Sequence, residues 1–585
     1  MHVHYGNFAA SQSLTTIDSA FFGASPTSPR GTVAGMMDDV GNYSTGVIGI
    51  VTPPSQQNAR IVTIRTVGWI DQDKSGTLNS GDPQKTIDYV VKIELARSQV
   101  FDYARFINNY SWVKGFNRWN MIVNGDWRVN GDFDILNGEL TLNGSLYAAP
   151  NTDLDPPSAG TISSYPWKDD NWNYNSKVTG ASYGSRMRQQ YDPAIHGAYG
   201  TPEFERWRDL LFFTEATVVN GRTFGAVLGD SNGVKGRITQ WDRVSHRVLD
   251  TASTSKIEMP DLRDFGSPTD PANEAGQQFA KSKAWRNEKA TFLDGTPNPN
   301  YSGSPTSANE FLSPGVPNPN YSGAFVDVWD TTTNQYRRVS SNGVVPNSAL
   351  LVGTSSHPIR VHGPVTIEGD VAIAGVVEGQ GTLYTTRTVH ILADVTYKNA
   401  PDFRGNNIDA IEAQGERADA LGLCARGSVM VGKSTDFDPD TINHMKPPFT
   451  KARKLPDGTI LPAFDGSDLD GYGIRKYESL LQHDPATAAT YAALAANGVS
   501  RIDGVVYTNN MFGGEVGWDY NGFTVNGSVI AKDEAITAWS HPVIMNYDQR
   551  IRDRGTGGPL IDIELPRGPR FSKRLWQDRG FRITP

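Results

Sequence analysis

The stretch that decides the fold is VHGPVTIEGDVAIAGVVEGQGTLYTTRTVHILADVTY, residues 361–397. Gly363, Gly369, Gly375 and Gly381 recur every six residues, and the phase runs on through Arg387 and Ala393. Two places after each of these stands an apolar residue: Val365, Val371, Val377, Leu383, Val389 and Val395. Two places further on come Ile367, Ile373, Ile391 and Tyr397, with Gly379 and Thr385 interrupting the series. A period of two within each hexad is strand spacing with one face buried. The small residue that opens a hexad suits a tight corner that bulkier side chains would obstruct. Repeated strand-and-corner units that stack on themselves make a β-helix, or β-solenoid. The pattern therefore predicts an all-β chain with Val365, Ile367, Val371, Ile373, Val377, Leu383, Val389 and Ile391 in one core. Thr366, Asp370 and Ala372 fall on the opposite face.

The same template recurs outside this stretch. It reads Gly125-x-Trp127-x-Val129, Gly131-x-Phe133-x-Ile135, Gly138-x-Leu140-x-Leu142 and Gly144-x-Leu146, then Gly427-x-Val429-x-Val431, Gly504-x-Val506 and Gly527-x-Val529. Asn124, Asn130, Asn137 and Asn143 precede the first four glycines, and Asn-Gly is a strong turn pair. The β-helix is thus expected in separated pieces with large insertions between them. The organisation reads as an N-terminal arm and β domain (1–97), an aromatic cap with the first rungs (98–150) and an insertion (151–345). A central β-helix (346–433), a second insertion with a short helix (434–499), and last rungs with a C-terminal arm (500–585) complete it. A shorter helix is expected after Thr201-Pro202. In the second insertion Asp484 is the expected cap and Pro485 the first helical position. ATAATYAALAA follows, and Asn497-Gly498 ends the helix.

Composition agrees with an all-β, loop-rich protein. Among 585 residues there are 59 Gly and 35 Pro, and 20% are charged. A net charge of -9 argues against nucleic acid and anionic membrane surfaces as partners. One cysteine, Cys424, excludes an intramolecular disulfide framework and a multi-cysteine metal site. No apolar run approaches the ~20 residues that span a bilayer. The opening MHVHYGNFAASQS lacks a basic region followed by an apolar one, so no secretory signal is expected there.

Two strand-like segments, IVTIRTVGW (61–69) and TIDYVVKIEL (86–95), enclose DQDKSGTLNSGD at 71–82. Asp71, Asp73, Ser75, Thr77, Asn79 and Asp82 take positions 1, 3, 5, 7, 9 and 12 of a calcium loop, with Gly76 at the sharp-turn position 6. Calcium wants six to eight oxygens, and this spacing wraps the backbone round one ion. Two features depart from the EF-hand: the last ligand is Asp rather than Glu, and the flanks are strands. The expectation is calcium in an EF-hand-like loop within a β-hairpin, set against a plain polar turn.

Residues 98–119, SQVFDYARFINNYSWVKGFNRW, are dense in aromatics. They are expected to plug the open end of the solenoid, with a sugar-binding platform as the alternative. Asp126, Asp132 and Asp370 each follow a corner glycine and are expected on the outer surface. Asp126 and Asp132 also have the spacing of a glycosidase pair, but solvated corner carboxylates are the default. Asp436, Asp438 and Asp440, and separately Asp465, Asp468 and Asp470, could add oxygen ligands for calcium, with solvated loops as the default; His2 and His4 could bind a metal, with a plain chain end as the default. No GxSxG, HExxH, P-loop or dinucleotide fingerprint is present.

VFDYARFINNYSW with its following NGD repeats, LLVGTSSHPIRVHGPVTIEGDVAIAGVVEGQGTLYTTRTVHILADVTYKNAP, IDGVVYTNN and VNGSVIAKDEAI carry a resemblance. They are similar, in the same order, to PilX-like pilus-assembly and uncharacterised bacterial cell-surface β-helix proteins. That family begins with a pilin-like hydrophobic helix, which this chain does not display. The resemblance implies a bacterial, extracellular or cell-surface protein without catalytic residues. Its implied role is structural, in a pilus-like filament, or adhesive. The partners expected are further copies or a larger surface assembly. The rival expectation is a polysaccharide-binding or polysaccharide-cleaving protein, with a glycan as partner.

Overall fold

The computed structural model describes residues 31–32, 41–51, 59–114, 120–136, 139–154, 157–165, 254–260, 323–340, 343–345, 347–403, 418–432, 479–517, 522–538, 542–554 and 559–582, with short pieces elsewhere between 177 and 461. Two compact units divide the chain. One comprises Met1–Ser98, Asp264–Gly303 and Pro566–Pro585, the other Gln99–Arg263 and Ser304–Leu565.

In the first unit β1 (Gly41–Val51), β2 (Ala59–Ile70) and β3 (Gln84–Arg97) form an antiparallel meander. β2 is rich in β-branched residues, which suit a pleated, half-buried surface. Val47, Val62, Trp69 and Val91 are buried. Arg65 on β2 faces Asp88 on β3, and its guanidinium donates to both carboxylate oxygens at 2.7 and 2.9 Å.

The second unit opens with β4 (Arg105–Ile107), β5 (Asn120–Asn124), β6 (Trp127–Val129), β7 (Glu139–Asn143) and β8 (Leu146–Ala148). After the long insertion come β9 (Ala349–Gly353), β10 (Ile359–Ile367), β11 (Val371–Thr385), β12 (Val389–Tyr397), β13 (Ala420–Ala425) and β14 (Val429–Val431). The helix α1 (Ala488–Ala495) precedes β15 (Arg501–Val516), β16 (Phe523–Ala538) and β17 (Val543–Tyr547). With one another these strands pair in parallel, and β10 also pairs antiparallel with Phe325–Asp330.

The register explains the hexads. Ile359 pairs with Val377, Val365 with Leu383 and Val371 with Val389, a step of 18 residues or three hexads. Equivalent hexad positions therefore stack on one another. The phase slips after Ile373: Val395 pairs with Gly375, and Tyr397, rather than Val395, meets Val377. The eight predicted core residues are all fully buried. Gly375, at φ +92° with Gly353 O only 1.9 Å from where a Cβ would stand, is a corner where only glycine fits.

Three expectations are corrected. Thr366, Asp370 and Ala372, placed on the open face by the alternation, are at most 2% exposed. That face is covered in part by α1 and the turn Leu480–Gln482 before it: Leu481 of the turn and Tyr491 and Ala495 of α1 pack on Ala372, Ala374 and Leu392. The aromatic segment is not an end plug, because β4 pairs with β16 on one side and β6 on the other. Phe101 and Phe106 are consequently buried inside the ladder. Nor does the C-terminal arm stay with the last rungs over the whole of 500–585. β18 (Arg567–Arg582) returns to the first unit and pairs antiparallel with β3, from Arg567 opposite Arg97 to Arg582 opposite Gln84.

Pieces distant in sequence thus share one ladder: β17 lies between β16 and β5, with Asn546 paired to both Asn526 and Asn124. α1 begins three residues later than Pro485. Asp484 instead organises the preceding turn, its carboxylate accepting from Ala486 N at 3.1 Å and from the Thr487 hydroxyl at 3.1 Å. Gly498 at φ +71° ends the helical segment as expected. The helix expected after Pro202, the N-terminal arm before residue 31 with His2 and His4, and the aspartates at 436–440 and 465–470 lie outside the described residues. Among the described residues no helix is long and apolar enough to cross a membrane.

Candidate metal centre

Residues 71–82 connect β2 to β3, and the hairpin closes with Ile70 N–H donating to Pro83 O at 3.0 Å. The turn needs left-handed backbone at Lys74 (φ +54°) and Gly76 (φ +74°), which explains the glycine. The structure brings Asp71, Asp73 and Asp82 together, with one carboxylate oxygen of each within 4.8 Å of the others.

Backbone N–H groups fix these carboxylates. Asp71 accepts from Ser75 N at 3.0 Å and Gly76 N at 2.7 Å, and Asp82 from Gln72 N at 3.1 Å and Asn79 N at 3.0 Å. Asp73 accepts from Ser75 N at 3.1 Å and from the Asn79 amide at 2.8 Å. The Ser75 hydroxyl lies 3.4 Å from Asp71 Oδ1 and from Thr77 Oγ1, and donates to Thr77 O at 3.0 Å. The Asn79 oxygen is turned away, accepting from Gly81 N at 3.0 Å. Hydrogen bonds from Ser75, the largest influence, hold the Asp73 carboxyl below the usual range.

Asp71 and Asp82 are 3% and 1% exposed, and among the described residues no Lys or Arg pairs with any of the three. Converging, largely buried carboxylates without a cationic side chain fit a hard divalent ion. Asp71, Asp73 and Asp82 would hold it first, with Ser75 and the Thr77 carbonyl beside them.

The corner aspartates have a different task. Asp126 accepts from Ser145 N at 2.8 Å and from Arg552 at 2.6 Å, and Asp132 from Ser158 Oγ at 2.8 Å and Thr161 N at 2.6 Å. Asp370 is fully buried, not on the outer surface, and accepts from Thr388 N, Arg387 and Leu480 N. Asp394 takes Ser500 N and Arg501 N, and Asp419 takes Gly379 N and Asn399 N. Each carboxylate ties one strand layer to chain that follows or precedes it. Burial pushes the Asp370 and Asp419 carboxyls upward, with their hydrogen bonds opposing it. Cys424 is buried, and burial pushes its thiol well up, away from the reactive thiolate.

An amide ladder escaped the sequence reading. Asn143 donates to Asn124, Asn124 to Asn546, Asn546 to Asn526 and Asn526 to Asp503, each at 2.7 Å. The signal was present in the Asn-Gly pairs, but the partners are revealed only by register.

These features define an all-β protein of parallel ladders with an acidic hairpin loop. No family model matches the chain. No curated protein matches it. Among solved structures it is similar to the competence-associated pilin ComZ from Thermus thermophilus, at 12% identity and a TM-score of 0.27, over 95% of this chain and 86% of that one. A likeness of that degree carries neither fold nor function.

Proposed function

We propose that this chain is a non-enzymatic structural subunit of a bacterial cell-surface, pilus-like filament or appendage, or an adhesin associated with one. Its framework is read as a β-helix, and its acidic hairpin loop as a calcium site. The observation that carries the reading is the use of the corner aspartates. Asp126, Asp132, Asp370, Asp394 and Asp419 all bind N–H donors of adjoining layers, as struts of a framework do. A glycosidase instead needs two carboxylates facing a cleft.

Assembly is supported by the edge of the first unit. β18 is the outermost strand of its sheet, with Leu575 and Trp576 about half exposed. Among the described residues no strand pairs with its outer side, and an edge of this kind is a template for another chain. The surface location follows from the resemblance described above.

The test is electron microscopy and sedimentation of the purified protein with and without calcium. Filaments or discrete oligomers are expected. A monomer at every concentration, with or without calcium, overturns the proposal.

A further inference from the structure

Residues 254–260, TSKIEMP, and Leu262 are held against the ladder by side chains, outside any strand pairing among the described residues. The Asn130 amide clamps Ile257 from both sides, donating to its carbonyl at 2.6 Å and accepting from its N–H at 3.2 Å. Asn509 does the same further along, donating to Pro260 O at 2.6 Å and accepting from Leu262 N. Arg128 donates to Ser255 O, and the Tyr507 hydroxyl to Pro260 O. Pro260 and Leu262 are buried.

The route of this strap follows from register. Tyr507 pairs with Ile530, Ile530 with Phe106 and Phe106 with Arg128, so the four stand in one row on one face. Three strand spacings of ~4.8 Å separate the ends of that row by about 14 Å. The five steps from Ser255 to Pro260, extended at ~3.3 Å each, span about 16 Å. The strap therefore crosses four strands at right angles, over Ile530 and Phe106, both fully buried. Recognition is of main chain by paired amides, with apolar anchors at fixed spacing. Those are the requirements of an extended-peptide site.

We propose that this row is an exchangeable peptide-binding site, filled within one chain by its own strap and, in the assembly, by the same strap of a second copy. The seated segment defines the ligand, and a second copy presents the identical sequence. The trans occupancy rests on the assembly reading above; the peptide site does not.

The test uses two full-length variants. One has a spoiled strap, Ile257→Asp with Leu262→Asp, and the other a spoiled site, Asn130→Ala with Asn509→Ala. Fluorescein-labelled ASTSKIEMPDLR is expected to bind the spoiled-strap chain saturably. Binding should weaken roughly tenfold or more for each asparagine then removed from that chain, since each makes two hydrogen bonds. Sedimentation should give one-to-one heterodimers on mixing the two variants, with neither pairing by itself. If the spoiled-strap chain is unfolded, recovery of its circular dichroism on adding peptide counts as binding. No binding and no recovery overturns the site. Peptide binding with the mixture remaining as two monomers overturns the trans occupancy and leaves the site standing. Heterodimers, in turn, do not depend on filaments forming, so the assembly reading fails or stands separately.

Discussion

The Asp370 carboxylate accepts the backbone N–H of Thr388, on the adjoining strand layer, at 2.9 Å. The same oxygen receives Arg387 Nε at 3.2 Å, while the second takes Leu480 N at 2.6 Å. Asp370 and Arg387 side chains are 0% and 8% exposed. Asp370→Ala would leave a buried guanidinium and two N–H groups without their acceptor. A loss of about 3–5 kcal/mol is expected. Urea unfolding checks it as a fall in midpoint at unchanged slope. A loss below roughly 1 kcal/mol would show the carboxylate to be no strut.

His390 supplies the pH dependence. It is fully buried, its Nδ1 meets the Tyr491 hydroxyl, and its Nε2 has no partner among the described residues. Burial pushes the imidazole down to about 3. Below the ordinary value near 6.5, the unfolded chain takes up a proton that the folded one refuses. Stability therefore falls as pH falls through that value, and goes on falling until about 3. About 1 kcal/mol should be lost between pH 7 and 5.5 from this group. His390→Phe should flatten that part of the stability–pH curve, and an identical slope in the variant would refute the assignment.

The inward set of 361–397 was legible because period two and period six coincide there. A buried residue at every second position admits only one register. The opposite face was not legible, since nothing in Thr366, Asp370 or Ala372 announces that α1, over 100 residues later, covers part of their face. That the carboxylates of Asp71, Asp73 and Asp82 stand close together could be read from their spacing, because a short loop with glycine at its turn has few ways to fold. Of the corner aspartates Asp370 was misplaced outside, because a carboxylate's usual preference is water, whereas Asp126 and Asp132 are half-buried. Their N–H partners come from adjoining layers and leave no local mark. The place of β4 and β18 depends on pairings across more than 400 residues, which periodicity cannot carry.

For the core itself, Ile373→Ala is the direct measurement. Ile373 is fully buried and stacks between Leu351 and Ile391. The cavity should cost ~2–5 kcal/mol. Thr366→Ala should also register in urea unfolding, because Thr366 is 2% exposed.

Calcium should raise the stability of the first unit by mass action. At free calcium a hundredfold above Kd the gain is about 2.7 kcal/mol. Asp71→Ala and Asp82→Ala should each abolish the calcium-dependent rise in Tm, whereas Asp126→Ala should leave it intact. A titration by calorimetry with no heat, and a Tm indifferent to both calcium and chelator, would reduce the loop to a hydrogen-bonded turn.

The amide ladder makes the most local prediction, because its members differ in burial while their bonds are alike. Asn526 and Asn546 are each 4% exposed, whereas Asn143 is exposed at the ladder's outer end. Asn546→Ala strands two groups at once: the Asn124 amide loses its acceptor and the Asn526 carbonyl loses its donor. Each buried orphan costs ~1–3 kcal/mol. Asn143→Ala removes one bond at a position where water replaces it, for ~1 kcal/mol or less. The break at Asn546 also falls where β17 joins β5, so it should loosen the seam between the C-terminal and N-terminal strands. Hydrogen exchange reads this directly. In Asn546→Ala the amides of β5 and β17 should lose protection before those of β11 and β12. Equal loss throughout would mean that the ladder stabilises the whole unit without holding that seam.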